Sequence, residues 1–374
     1  MKRIAILLAF CSAFWLCWMS AQQGPSREGA DTVAKPKKKA TDTEAPPEPE
    51  KIPSKFEKKP ELPAGIPTFH ADVTTVSLDV AVLDNHGRPI PNIPRGNFRV
   101  LEDNVPQKVA TFEMSEAPLT ICMVIEFSNL FQRYWSETWY QTLSGAYGFL
   151  ETLKPNDYVA VVAYDMRPEI LSDFSADKKN AYEAMRRLNM AAFSEANLFD
   201  ALTDTADRMS TIEGRKAILL LSSGIDTFSK KNLGETRKVL QEAGVPIYAI
   251  GLMQAIRIRM ESYGAMSSIN SLDFLQADNQ LRTFSRETGG QAFFPRFESE
   301  FPSIFHAVSD ALRNQYILTY QPANQTRDGK FRKIKVELVN PANNEPLRIV
   351  DENKKQVKYT IVARNGYTAP RAVE

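Results

Sequence analysis

The chain has 374 residues, 43% hydrophobic and 24% charged, with a formal net charge of +1. That is ordinary globular composition with room for two modest domains. Near-neutral charge gives no global field of the kind that gathers nucleic acid or acidic lipid, so no nucleic-acid partner is expected.

Residues 1–21 read as an export signal. Lys2 and Arg3 form a charged start, Ile4 to Met19 is apolar, and Ser20-Ala21 offers a small-residue cleavage site. The alternative is a retained anchor, which would be the chain's one membrane contact. The apolar run of about 16 residues is shorter than the roughly 20 that a spanning helix needs. Cys11 and Cys17 follow the bulky Phe10 and Leu16, which does not suit lipid attachment. Cys122 is then the single cysteine of the mature chain, so no internal disulfide is expected, and it reads as a small hydrophobe on a buried strand. Export places the protein in the periplasm, on the cell surface or outside the cell.

Residues 22–68 carry nine of the 23 prolines among many Lys, Glu and Ala. Ile52, Phe56, Leu62 and Ile66 are too sparse for a core, which predicts a disordered linker. Residues 69–116 read as β structure. Val76, Leu78, Val80 and Val82 alternate, as do Phe98 and Val100, with turn signals at Asp84 to Gly87 and at Asp103-Asn104.

From 117 to 315 the pattern becomes α/β. Apolar strands are predicted at Leu119–Phe127, Tyr158–Tyr164, Ala217–Leu221, Pro246–Leu252 and Gln291–Phe294. Helices are predicted at Phe131–Leu153, Lys178–Leu188, Leu198–Ile212, Leu233–Ala243, Asp273–Thr288 and Glu300–Asn314. This alternation implies a doubly wound, mostly parallel sheet with helices on both faces. Residues 253–272 read as an irregular insert. The first helix is rich in aromatic residues, including Tyr134, Trp135, Trp139 and Tyr140; one face is expected on the sheet and some rings at the surface.

Residues 316–371 return to β structure, with Tyr316–Tyr320, then alternation at Ile334, Val336 and Leu338 and at Val357, Tyr359 and Ile361. Neither β flank is large enough to stand alone. The simplest expectation is that 69–116 and 316–371 pair into one small β-sandwich-like domain, with the α/β domain inserted.

Several stretches together carry a resemblance: Asn97 to Asp103, Leu198-Phe199-Asp200-Ala201-Leu202, Leu219 to Asp226, Tyr316 to Tyr320, Asp328 to Ile334 and Gly366 to Pro370. As a set, over residues 70–371, they resemble the VWFA-related exported proteins of acidobacterial type, which carry a von Willebrand factor A (VWA) domain. The resemblance implies a doubly wound sheet with one antiparallel edge strand. It also implies a metal-ion-dependent adhesion site at the carboxyl ends of the strands, where a hard divalent cation is held by hydroxyls and carboxylates.

This chain departs from that pattern at the ligands. Where the family has Asp-x-Ser-x-Ser, the chain has Glu126, Ser128 and Leu130. Ala196 stands at the family's Thr, and Ser223 at the acidic position before Gly224. The added methylene of Glu126 displaces the carboxylate, and a Mg²⁺ site tolerates little displacement. No cofactor or metal is therefore expected. The alternative is a rearranged divalent-cation site, Mg²⁺ or another, built from Glu126, Glu195 and Asp226. Without a metal, Asp226 is expected to cap its loop or the helix after it, Asp200 to cap helix-start amides, and Ser128 to bond loop amides.

An enzyme would need a nucleophile and a base. The three histidines, His70, His86 and His306, form no recognisable pair with one, and no nucleophile elbow, phosphate loop or zinc spacing is present. The leading expectation is an exported, non-enzymatic protein-interaction module. It would bind a protein partner through a surface around Glu126, Ser128, Asn129, Glu195, Asn197, Ser223 and Asp226. A structural part of an envelope assembly is the alternative.

Overall fold

A computed structural model describes residues 75–371 apart from 115–116, 129–142, 144, 189–192, 263, 265–267 and 351–353. The export signal, almost all of the linker, Asn129, Leu130 and the aromatic positions 131–142 lie outside the described residues.

The chain enters through β1 (Val76–Asp84), β2 (Phe98–Glu102), β3 (Val105–Gln107) and β4 (Val109–Met114). The α/β region follows: β5 (Leu119–Glu126), helix α1 (145–152), β6 (Tyr158–Tyr164), β7 (Pro168–Ser175), α2 (Lys178–Arg186), α3 (Leu198–Ser210), β8 (Arg215–Ser222) and α4 (Leu233–Ala243). It continues through β9 (Ile247–Gly251), α5 (Met253–Ser262), α6 (Ser268–Thr288), β10 (Ala292–Phe293) and α7 (Phe301–Arg313). The chain closes with β11 (Tyr316–Tyr320), β12 (Phe331–Leu338), β13 (Ile349–Val350), β14 (Gln356–Val357), β15 (Tyr359–Val362) and β16 (Gly366–Thr368).

The central sheet has the order β10-β9-β8-β5-β6-β7. All its pairings are parallel except β7, which lies antiparallel to β6 at one edge. Every residue of β5 is buried, which is why this strand reads as an unbroken apolar run. Strand periodicity divides its side chains between two cores. Ile121, Met123 and Ile125 join α1 and α7 on one face, while Cys122 and Val124 join α3 on the other. Burial pushes the Cys122 thiol up to about 12.

The two β flanks do not form separate sheets. One four-stranded sheet is β15-β1-β11-β4 and the other is β16-β12-β2-β3, so each mixes amino-terminal and carboxyl-terminal strands. Their shared core contains Leu78, Val80, Phe98, Val100, Tyr316, Leu318 and Ile334. Phe98 meets Tyr316 with ring centroids 4.9 Å apart. The buried Tyr316 hydroxyl is satisfied on both sides: it donates to Ile90 O at 2.8 Å and accepts from Ile93 N at 3.0 Å.

Two elements differ from the sequence reading. The antiparallel edge β7 falls where no strand was expected. The supposed irregular insert at 253–272 contains α5 and the first turn of α6. Among the described residues, no helix is long and apolar enough to cross a membrane.

Asp157 fastens the base of the parallel sheet. Its buried carboxylate accepts from Leu119 N at 2.9 Å, Lys154 N at 2.7 Å and Arg313 at 2.7 Å, joining β5, the loop before β6 and α7. Burial would raise this carboxyl, but the bonds from Leu119, Arg313 and Lys154 outweigh it and hold it below its ordinary value. A depressed folded value stabilises the fold above about pH 4, and the contribution is lost as pH falls through that value. Asp157→Ala is expected to cost about 3 kcal/mol in urea unfolding at pH 7, with the deficit shrinking toward pH 3. Cys122 is expected to resist iodoacetamide in the native protein and to react once denaturant opens the sheet.

Candidate functional site at the strand ends

β5 and β8 are adjacent and parallel, so Glu126 at the end of one and Ser222-Ser223 at the end of the other arrive together. β6 brings Tyr164, which pairs in register with Glu126. The site is therefore assembled by three strands whose apolar bodies are locked in the core.

The Glu126 side chain is completely buried, as is that of Ser128. Its Oε1 accepts from Ser128 Oγ at 2.9 Å and from Ser223 Oγ at 3.0 Å. Its Oε2 accepts from Ser223 N at 2.7 Å and lies 2.8 Å from Ser223 Oγ, 3.1 Å from Ser222 Oγ and 3.2 Å from the Tyr164 hydroxyl. Ser222 Oγ and the Tyr164 hydroxyl are themselves 2.7 Å apart, so one of them donates to the other and passes the bond on to Glu126. A carboxylate offers about four lone-pair sites, and this ring of donors fills them. Burial, and then the Glu126 charge, push the Tyr164 phenol well above its ordinary value, which keeps it a donor.

The serine hydroxyls are also occupied as acceptors. Gly224 N donates to Ser222 Oγ at 2.9 Å and Ile225 N donates to Ser223 Oγ at 3.1 Å. Gly224 has φ +79°, and a Cβ there would lie 2.7 Å from Ala277 O on α6, so only glycine lets this loop turn so close to the helix. The hydroxyls of Ser222 and Ser223 are thus committed to a carboxylate and to their own loop.

The neighbouring acids have structural duties. Asp226 Oδ1 accepts from Ser229 Oγ at 2.5 Å within its own loop, as expected, and also from Phe199 N at 3.1 Å, so it caps α3, the helix before it in the chain and not the one after it. Asp200 sits in the first turn of α3 but accepts from Lys230 N at 2.9 Å and Lys231 N at 3.1 Å, pinning the loop before α4. Burial would raise the Asp200 carboxyl; these two amides and the Lys231 charge lower it. Ser128 donates to Glu126 at 2.9 Å; the loop that follows it lies outside the described residues.

Asn197, also buried, donates to Met166 O at 3.0 Å, and its Oδ1 lies 2.8 Å from Ser229 Oγ. Ala196 is buried, and its backbone pairs with Thr227. Glu195 is half-exposed, and its nearest partner is Ser194 Oγ at 3.4 Å. Among the described residues, no group of three His, Cys, Asp or Glu side chains is placed to hold a metal ion. Glu126, Glu195 and Asp226 do not converge.

The structure thus divides the expected site residues. Glu126, Ser128, Ser223 and Asn197 are interior, Glu195 and Asp226 are partly accessible, and Asn129 is outside the described residues. Phe193 and Phe228, 47% and 51% exposed, flank the same loops. Sequence reasoning did not single out Tyr164, Ser222 or Ser229. A polar-tipped aromatic at the end of an apolar strand was the available signal for Tyr164.

No family model matches the chain, and no curated protein matches it. Solved structures offer distant similarity. Proximal thread matrix protein 1 from the mussel byssus is 14% identical with a TM-score of 0.42, over 57% of this chain and 51% of that one, so the match spans about half the mussel protein. The vWF domain of the type V pili tip protein Mfa5 from Porphyromonas gingivalis is 13% identical with a TM-score of 0.39, over 52% of this chain and 95% of that one. An aerotolerance-related membrane protein from Bacteroides fragilis is 12% identical with a TM-score of 0.39, over 52% and 98%. Similarity this distant says nothing of what the chain binds; the fold class rests on its own sheet order.

Glu126→Ala leaves several buried donors facing a cavity and is expected to cost about 3–5 kcal/mol in denaturant unfolding. Glu126→Gln, which keeps the shape but brings an NH₂ against hydroxyl donors, is expected to cost about 1–3 kcal/mol.

Proposed function

We propose that the protein is an exported, non-enzymatic interaction module whose VWA-like domain binds a protein partner at the strand ends without a metal. The observation that supports metal independence is the Glu126 network: the carboxylate takes up the hydroxyls of Ser128, Ser222 and Ser223 that a cation would need. The network also spends these hydroxyls on an enclosed carboxylate, which supports a non-catalytic reading. Export rests on the leader at residues 1–21.

Burial moves the proposed contact outward from the residues that suggested it. Glu126, Ser128, Ser223 and Asn197 act as a rigid frame. Contact falls to the loops they hold, with Glu195, Asp226 and the exposed ring of Phe228 as the accessible side chains. An aromatic beside carboxylates on a preorganised loop suits protein recognition.

Calorimetry with Mg²⁺ and Mn²⁺ is expected to show no exchangeable site at micromolar affinity, and Glu126→Asp is not expected to create one. Crosslinking of the full chain in its native envelope, read by mass spectrometry, is expected to place a partner at residues 193–195 and 226–230. Phe228→Asp is expected to abolish those crosslinks while shifting stability by less than about 0.5 kcal/mol. A micromolar metal site would overturn the metal-independent reading. Crosslinks confined to the β-sandwich would favour a structural role instead.

A further inference from the structure

Beneath α3, on the face of the central sheet that carries Cys122, lies a cavity of about 190 Å³. Local sequence and topology open it together. Cys122 on β5 and Ala160 on β6 are neighbours in register, and both are small, so the floor is low. α2 follows β7 but packs on the opposite face, with Ile121 and Met123. On the face of Cys122, β6 and β7 therefore meet α3 across the cavity, with Ile170 and Phe174 on one side and Met209 on the other.

The floor and these sides are apolar, and burial keeps the Cys122 thiol protonated. Thr205 on α3 is the exception. It lines the cavity and is only 4% exposed, yet its hydroxyl makes no hydrogen bond among the described residues. A buried hydroxyl without a partner is costly, and this one has a donor and acceptor sites to offer. Water is a poor tenant for the space. A well-held buried water takes about two to four polar partners, and these walls present one hydroxyl and a weak thiol.

Charge stays at the edge. Asp204 is exposed, and Arg208 pairs with Asp173 while its guanidinium lies 5.4 Å from the centre of the Phe174 ring. This ion pair joins α3 to β7 beside the cavity.

We propose that the cavity binds a small uncharged molecule, with an apolar body about the size of one aromatic ring and one hydroxyl that pairs with Thr205. An apolar cavity of about 150 Å³ takes up benzene, so the volume here suits a ring with one substituent. A partner's helix, about 10 Å across, does not fit. An ion would lose its hydration against apolar walls, and Arg208 is already paired. The proposal does not depend on the strand-end reading, because the two sites share no residue.

The test is calorimetry on the full chain, titrating phenol, toluene and benzoate separately. Phenol and toluene are each expected to bind at one saturable site with a dissociation constant below about 1 mM, and benzoate more weakly than phenol. Thr205→Val keeps the shape and removes the hydroxyl. It is expected to weaken phenol about tenfold and to leave toluene no weaker, a selective loss that damage to the fold does not produce. Ala160→Ile, which raises the floor, is expected to abolish binding of both while the protein still unfolds cooperatively. Failure of phenol or of toluene to bind saturably up to about 5 mM would overturn the proposal. So would a Thr205→Val variant that changes phenol and toluene binding equally, or benzoate binding more tightly than phenol.

Discussion

A fully buried carboxylate is tolerated only where hydrogen-bond donors enclose it. Glu126 meets that condition through groups that arrive from three strands: Ser128 just past β5, Tyr164 on β6, and Ser222 and Ser223 at the end of β8. The requirement works in both directions. The carboxylate needs the three strand ends in register, and the strand ends, rich in hydroxyls, need an acceptor at their centre. Around this point the loops become determinate. Gly224 and Ile225 donate their amides to the same serine hydroxyls, and Thr227 reaches Ala196 to tie in the loop before α3.

The two ends of the parallel sheet then have different electrostatic characters. At the carboxyl end, one carboxylate is enclosed by hydrogen-bond donors, and the nearby acids Asp200 and Asp226 accept from backbone amides. At the amino end, Asp157 is satisfied by two amides and Arg313, while Arg215, Lys216 and Arg364 gather where the sandwich meets the inserted domain. Domain insertion makes this contact possible. β4 and β11 lie side by side in one sheet, so the chain leaves the sandwich and returns to it at neighbouring strands.

Much of this architecture was legible from residue pattern. β5, β6, β8 and β9 are buried on both faces, and such strands announce themselves as apolar runs. β7 did not, because an edge strand reading Pro-Glu-Ile-Leu-Ser-Asp-Phe-Ser is only partly covered and carries no continuous apolar signal. α5 gives little amphipathic signal, because its short apolar stripe is broken by Ile258 on another face and by Arg257, Arg259 and Glu261. At the site, the strand-end positions of Glu126 and Ser223 are readable residue by residue. Their bonding is not, because the pairing of Glu126 with Tyr164 and Ser223 depends on strand register. The same limit explains the long-range bonds of Asp200 and Asp226, which reach the Lys230 and Lys231 amides and the Phe199 amide on elements brought near by folding.

In the reading we propose, the Glu126 carboxylate holds the place a cation would take. Crystals grown in millimolar Mn²⁺, with data collected at the manganese absorption edge, test it directly. No anomalous peak is expected at the strand ends, with Glu126 still within hydrogen-bond distance of Ser128, Ser222, Ser223 and Tyr164. A manganese ion bound to Ser128 or Ser223, with Glu126 swung aside or serving as a ligand, would contradict it.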